Sequence, residues 1–348
     1  MKMKNKISVG IIGCGHWGPN FIRNFSKIKN CGVKYASDLN VERLSHIKQA
    51  FPDIATTPHY LRILEDETID AVVIATPAQT HYQLAKNALG HGKHVLVEKP
   101  ITRRVCEAEE LIEIAERKKK ILMVGHTFKF NPGIRKLKSL IDSNALGKVY
   151  YVYSRRTNLG PIRKDVSAVW DLAPHDISIF NYLLEDVPLS AAAHGNKCLP
   201  HGLEDVCFIT LAFPDKVLGH IHVSWLDPKK VREIVVVGSK KMAIFDDLNA
   251  QAPIVIYDKS VMKKRFKQDY ASFKEFQMII KDGKTVIPKV KKEEPLQAEC
   301  AHFIDCIRRE SVPLTDGKDG LKVLKVLIAI QESLSKNGTQ ISLRKPSR

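Results

Sequence analysis

The chain has 348 residues, enough for two domains with separate cores, and an apolar fraction of 44% that suits an ordinary globular protein. No apolar run approaches the ~18 residues that a membrane span needs, and seven cysteines scattered without a C-x-x-C exclude a disulfide framework and predict a cytoplasmic location. The formal charge of +17 favours anionic small molecules, but its short runs (Arg117 to Lys120, Lys289 to Lys292) lack interleaved aromatics, so neither nucleic acid nor membrane is an expected partner.

The first apolar run, Lys6 to Ile12, reads as a strand, and Pro19 to Ile28 as a helix. Between them Gly13-Cys14-Gly15-His16-Trp17-Gly18 fits G-x-G-x-x-G. In that pattern Gly13 allows the tight turn, Gly15 clears the approach of a pyrophosphate, and Gly18 lets the helix pack close to the sheet. A second strand, Val33 to Ser37, ends in Asp38, about 20 residues past the last glycine, where a carboxylate accepts from the adenosine ribose. The combination predicts a nicotinamide dinucleotide site whose contacts include His16 and Trp17. Asp38 favours NAD by repelling a 2′-phosphate, while Asn40 and Arg43 leave NADP open.

Strands at Ala71–Ala75, His94–Glu98 and Ile121–Val124 alternate with helices at Val41–Ala50, Thr80–Leu89 and Arg103–Arg117. Near-continuous apolar strands in alternation with helices predict a doubly covered parallel sheet, a Rossmann domain over residues 1–125. Ligands bind such sheets at the carboxyl ends of the strands. That rule adds Thr76, Pro77 and His81, then Glu98 and Lys99, to the cofactor-binding candidates.

Beyond Val124 strand-like runs (Lys148–Thr157, Val206–Phe213, Val217–Leu226, Val231–Val237, Met242–Phe245) follow one another across turn signals such as Pro214-Asp215-Lys216. They predict an α+β domain over 126–348: a mostly antiparallel sheet covered on one face by helices at Pro174–Leu184, Leu296–Arg309 and Gly320–Lys336. Ile234 to Val237 is apolar on both faces, which predicts that the open face is covered by another subunit, unless an unrecognised helix lies there.

Two groups carry chemistry. Lys99 follows a strand end, where it can donate to a substrate hydroxyl and hold a developing alkoxide; an exposed loop lysine is the competing reading. Trp170-Asp171-Leu172-Ala173-Pro174-His175-Asp176 opens a helix, with Pro174 in its first turn. Asp171 and His175 are four apart and share a face, so the carboxylate can orient a histidine base. The bland alternative is a helix start with Asp171 as cap. His126, at the crossing into the second domain, is expected to line the cleft, and with Lys129, Asn131 and Trp170 completes the substrate candidates. His220 and His222 share a strand face without a completing ligand, so no metal is assigned.

These residues resemble the Gfo/Idh/MocA oxidoreductases over nearly the whole chain, through the glycine fingerprint, Thr76-Pro77 with His81, Gly92 to Pro100 ending in Glu98-Lys99-Pro100, and the Asp171…His175 pair. The resemblance implies a Rossmann domain followed by an open-faced sheet that forms dimers or tetramers. It also implies catalysis by Lys99 and His175, with Asp171 assisting. Gly15-His16-Trp17-Gly18-Pro19-Asn20 and the Trp170–Asp176 run are similar to a branch that oxidises the 3-hydroxyl of a UDP-N-acetylhexosamine. Two departures bear on the substrate: Ser167-Ala168-Val169-Trp170 replaces a glycine-rich run, and Lys129 stands where many relatives have arginine. The expectation is therefore an NAD-dependent dehydrogenase of a nucleotide sugar. A dehydrogenase of a free polyol, a ketosugar reductase, and a catalytically silent NAD-binding subunit are the alternatives, the last opposed by the presence of both lysine and base.

Overall fold

A computed structural model describes residues 6–264 and 277–344. The chain divides into two compact units, residues 1–131 with 293–325 and residues 132–292 with 326–348. Segment 293–325, assigned to the second domain from sequence, belongs to the first unit.

The first unit runs β1 (Ile7–Ile12), α1 (Gly18–Ser26), β2 (Cys31–Ser37), α2 (Val41–Ala50), β3 (Ala55–Thr57), α3 (Leu61–Glu65), β4 (Ala71–Ile74), α4 (Ala78–Gly90), β5 (His94–Glu98), α5 (Val105–Lys118) and β6 (Leu122–Gly125). Its strands form one parallel sheet in the order β3-β2-β1-β4-β5-β6. That is the doubly wound arrangement, with its topological switch between β1 and β4. β4 (Ala-Val-Val-Ile) is buried at every position, as a strand covered on both faces must be. Phe21 and Phe25 of α1 are fully buried with their rings stacked, and the ring of Phe303 lies 6.4 Å from that of Phe25.

The second unit holds α6 (Pro132–Asp142), β7 (Val149–Leu159), α7 (Ala168–Leu184), β8 (Ser190–Asn196), β9 (Val206–Ala212), β10 (Leu218–Ser224), β11 (Leu226–Gly238), β12 (Met242–Asp246), β13 (Ile254–Lys264) and β14 (Gln277–Val286). The chain then passes through α8 (Pro295–Arg309) of the first unit and α9 (Gly317–Ser335), within which the units divide, to β15 (Ile341–Ser342). The nine strands order as β14-β13-β12-β11-β7-β10-β9-β8-β15. All pairs are antiparallel except β7 with β10.

Strands β9 and β10 alternate, up to the buried Val223-Ser224 at the end of β10. Cys207, Ile209 and Leu211, with Gly219, Ile221 and Val223, are buried on the face that α7 covers. A Cβ on Gly219 would lie 3.1 Å from the rings of Phe180 and Phe213, so α7 packs directly onto that backbone. The opposite face leaves Tyr151, Tyr153, Phe208 and Leu218 exposed, with Phe208 stacked on His220 and His222. Ile234 to Val237, apolar on both faces in sequence, are all buried within the chain.

Helix α7 corrects a boundary. It starts at Ala168, where Ser167 caps the Trp170 N–H, so Pro174 lies inside it and Asp171 is not the cap. The helix tolerates the proline because Val169, Ala173, Ile177 and Phe180 stay buried in its face to the core, offsetting the roughly 3 kcal/mol of a lost interior bond. Among the described residues, no helix is long and apolar enough to cross a membrane.

Candidate active site

Because β1, β4 and β5 are neighbours, their carboxyl ends place three turns along one edge of the first sheet. In the first turn Gly13 has φ +97°, and a Cβ there would stand 2.7 Å from the Ala75 carbonyl; a Cβ on Gly18 would meet the Gly13 carbonyl oxygen at 2.2 Å. Both glycines are demanded by the fold. Gly15 is not: only the Arg43 guanidinium, 3.8 Å away, comes near its Cβ position. That open space before the N-terminus of α1 is the room a pyrophosphate needs, and the residues present fit a dinucleotide. Gly15→Ala is expected to keep the melting temperature and to weaken NADH binding on the order of tenfold; fluorescence titration that finds wild-type affinity places the pyrophosphate elsewhere.

Asp38 follows β2 and braces this turn. Its Oδ2 accepts from the Cys14 N–H at 2.7 Å and faces Arg43 Nη1 at 3.5 Å, while Oδ1 accepts from the Asn40 N–H. A carboxylate retains acceptor capacity beyond these bonds, which suits ribose hydroxyls. His16 and Trp17 lie exposed in the turn with their rings edge to face at 5.4 Å.

The second turn holds Thr76 and Pro77. Thr76 Oγ1 accepts from Thr80, and Pro77 precedes α4. His81, one turn into α4, is buried, and both its ring nitrogens face backbone carbonyls, of Thr76 and Pro100. It ties the second turn to the third instead of presenting a nitrogen to a ligand.

The third turn is Glu98-Lys99-Pro100, with a cis bond before Pro100. Burial pushes the Glu98 carboxyl up to about 7, opposed by the Lys99 charge and by the Lys99 N–H, which donates to Glu98 Oε2 at 3.1 Å. Glu299 of α8 is also fully buried; burial and the nearby Glu98 raise it well above the carboxylate range, and its Oε2 accepts from Thr127 Oγ1 at 2.8 Å. A carboxyl whose pKa rises on folding destabilises the fold once it must ionise. The Glu98 contribution to stability therefore falls as pH climbs from about 4.5 to about 7, by about 3 kcal/mol in all. Glu98→Gln is expected to flatten that stretch of a melting-temperature profile and to gain most over wild type above neutrality; parallel profiles would contradict it.

The substrate candidates of the first unit are less available than their sequence suggests. Lys129 is buried with its ammonium 2.6 Å from Asp319 Oδ1. His126 is buried as well, and burial with the Lys129 and Lys99 charges holds it well below the usual histidine range. Asn131 is nearly buried at the end of the 3₁₀ turn Thr127–Phe130.

In the second unit Asp171 and His175 lie on α7, one turn apart. Asp171 Oδ1 accepts from Arg163 Nη1 at 3.0 Å, and the same guanidinium grips Asp165 through Nε and Nη2 at 3.0 and 2.6 Å. The loop before α7 is thereby pinned to the carboxylate expected to orient the base. Next to His175, Asp176 turns to the core and forms a bidentate pair with Arg156 of β7, Nε to Oδ2 at 2.8 Å and Nη2 to Oδ1 at 3.1 Å, with both side chains buried. Trp170 donates its indole N–H to Gln331 at 2.9 Å.

Sequence reasoning passed over Arg163, Arg156, Asp176 and Glu299. Arg156 had a signal, since it continues the inward alternation of Val152 and Ser154 in β7. Glu299 had none, because its partner Thr127 is 172 positions away.

The family model "Oxidoreductase family, NAD-binding Rossmann fold" matches residues 7–126, and "GFO/IDH/MocA C-terminal domain" matches residues 134–244. The myo-inositol 2-dehydrogenase of Thermotoga maritima is 24% identical over 94% of this chain and 96% of its own length. The UDP-N-acetylglucosamine 3-dehydrogenase of Acidithiobacillus ferrooxidans is 29% identical over 53% of this chain and 57% of its own. The solved structure of UDP-N-acetylglucosamine 3-dehydrogenase GnnA from the same organism superposes with a TM-score of 0.80 at 23% identity, covering 95% of this chain and 98% of that one, and so has the same fold.

Proposed function

The chain belongs to the GFO/IDH/MocA family, its first domain is an NAD-binding Rossmann fold and it is an NAD-dependent oxidoreductase; from that premise we propose that it oxidises a secondary hydroxyl on the sugar ring of a nucleotide sugar. The observation that carries the reading is Lys99, set by Glu98-Lys99-Pro100 at the carboxyl end of β5 on the same sheet edge as the glycine turn. Oxidation of a carbinol needs a base, and the Asp171–His175 pair on α7 supplies the candidate. In this proposal Lys99 donates a hydrogen bond to the hydroxyl oxygen, His175 takes the hydroxyl proton, and Asp171 steadies the imidazolium that forms. Gly13, Gly15, Gly18 and Asp38 would hold NAD, which would supply the hydride acceptor for the same carbon.

A nucleotide carrier is supported by the Trp170–Asp176 run, by the likeness to a UDP-N-acetylglucosamine 3-dehydrogenase, and mildly by the net charge of +17. A polyol substrate is the second reading, favoured by the full-length match to an inositol dehydrogenase. Following NADH absorbance with UDP-N-acetylglucosamine, myo-inositol and free hexoses, each with a ketone trap, separates them. NADH from the nucleotide sugar alone supports the proposal; NADH from inositol or a hexose alone replaces it with the second reading.

The proposal includes self-association through the open face of the second sheet, where Tyr151, Tyr153, Phe208 and Leu218 expose an aromatic and apolar row. Sedimentation velocity at micromolar concentration is expected to give a dimer or tetramer, and a monomer would rule it out.

A further inference from the structure

His81 is 1% exposed, and its Nδ1 and Nε2 lie 2.7 and 2.8 Å from the carbonyl oxygens of Pro100 and Thr76. Carbonyl oxygens only accept, and either neutral tautomer of imidazole has a single N–H. A neutral ring would therefore aim a lone pair at one of the two oxygens at hydrogen-bond distance, an arrangement that costs energy in a buried site. Only the imidazolium donates to both. The two carbonyls belong to the two turns that follow β4 and β5, and Pro100 is bonded directly to Lys99. The ring thus joins the cofactor-side turn at Thr76 to the turn that carries the lysine.

We propose that His81 is a positioning residue that acts as a cation, its proton tying the Thr76 turn to the Lys99-Pro100 turn so that both are set for the dinucleotide and for the Lys99 hydrogen bond. This rests on the nicotinamide site of the function proposed above, but not on the identity of the alcohol. Loss of the proton frees one carbonyl and lets the turns move apart. The groups around the ring set where that happens. Burial and the Lys99 charge oppose the proton and the two carbonyls favour it, with the pKa lying below the ordinary histidine value. Strand β4 carries no titratable group. Glu98 closes β5 at the Lys99 turn. On α5, Glu110 is held by Tyr82 and by Lys86 at 2.7 Å.

Two measurements test the proposal on the full-length protein. The first is the nitrogen spectrum of ¹⁵N-histidine-labelled enzyme, with the His81 signals assigned by their loss in His81→Gln. Both ring nitrogens are expected to carry protons on the acid side, one losing its proton as pH rises, with the midpoint below the ordinary histidine value. A single protonated nitrogen throughout the pH range in which the protein stays folded overturns the proposal. The second is NADH affinity across the same range. Wild type is expected to bind tighter as the ring gains its proton, whereas His81→Gln, which has one donor group to offer two carbonyls, binds about tenfold more weakly with no such trend. A variant that keeps the wild-type pH trend also overturns it. Should His81→Gln fail to fold, His81→Asn supplies the assignment and the wild-type spectrum decides. Should NADH not bind at all, the proposed function fails while the ring spectrum still reports on His81.

Discussion

His175→Asn is expected to lower kcat by about 10²- to 10⁴-fold, the usual worth of a positioned general base, while NADH affinity stays within a few-fold of wild type. Asparagine keeps a polar side chain of similar reach on α7 but cannot take a proton. The fold should survive, since the buried face of the helix is formed by Val169, Ala173, Ile177 and Phe180. Steady-state kinetics on the substrate identified by the NADH assay provide the check. The acid limb of the kcat/KM profile, where a histidine base is progressively protonated, should vanish in the variant. Lys99→Met is expected to lower kcat by roughly 10²- to 10³-fold through loss of the donor to the developing alkoxide, and to leave the acid limb in place. Turnover near wild type in both variants would remove these residues from the chemistry, and an acid limb that persists in His175→Asn would move the base elsewhere.

Arg156→Met is expected to destabilise the protein by about 3–5 kcal/mol, because it strands the Asp176 carboxylate in a site from which water is excluded. Methionine fills much of the arginine stem, so the loss reports the unpaired charge more than a cavity. A drop in melting temperature on the order of 10 °C follows for units of this size. The double variant Arg156→Met with Asp176→Leu should recover most of that loss, since exchanging a buried pair for apolar side chains is often near neutral. Asp176 follows His175 directly, so Arg156→Met should also lower kcat in the surviving folded protein through displacement of α7 against β7. Differential scanning calorimetry of the three proteins tests the account: a single variant as stable as wild type, or a double variant no better than the single, contradicts it.

The parallel sheet was legible because its strands are short, apolar and punctuated. His94–Glu98 was placed to the residue and the first strand to within one at its start, since glycines or strand-to-loop transitions mark their ends. Strand β8 escaped notice because Ser190-Ala191-Ala192-Ala193-His194-Gly195-Asn196 has none of the β-branched or aromatic residues that advertise a strand; its partners β9 and β15 make it one. Helix α6 is absent from the sequence expectations although Ile134, Leu137 and Ile141 recur at helical spacing; it opens on Pro132-Gly133, a pair whose residue types favour turns. Pro174 misled the reading of α7 for a related reason: a proline is more often in a first turn than inside a helix, and the buried residues upstream that hold this one in place are a tertiary effect.

The candidate site divides in the same way. Residues on local motifs (Gly13 to Gly18, Asp38, Lys99, Asp171, His175) could be named from spacing alone. What those residues lean on could not be. Arg163 reaches Asp171 across a loop, and Glu299 reaches Thr127 from the far end of the chain. Lys129, a substrate candidate from its sequence, is held by Asp319, 190 positions later.

That late return of the chain bears on how the protein is made. The core beneath β1 and α1 includes Leu296, Cys300, Phe303, Ile304 and Ile307 of α8, and the Arg23 guanidinium finds its carboxylate in Glu294. On the ribosome, residues 132–292 must all emerge before these side chains exist. The nucleotide-binding half therefore waits, with part of its apolar surface uncovered, while the sheet half completes most of its strands. Residues 293–325 close the unit that was begun first, and residues 326–348, which follow them, complete the second.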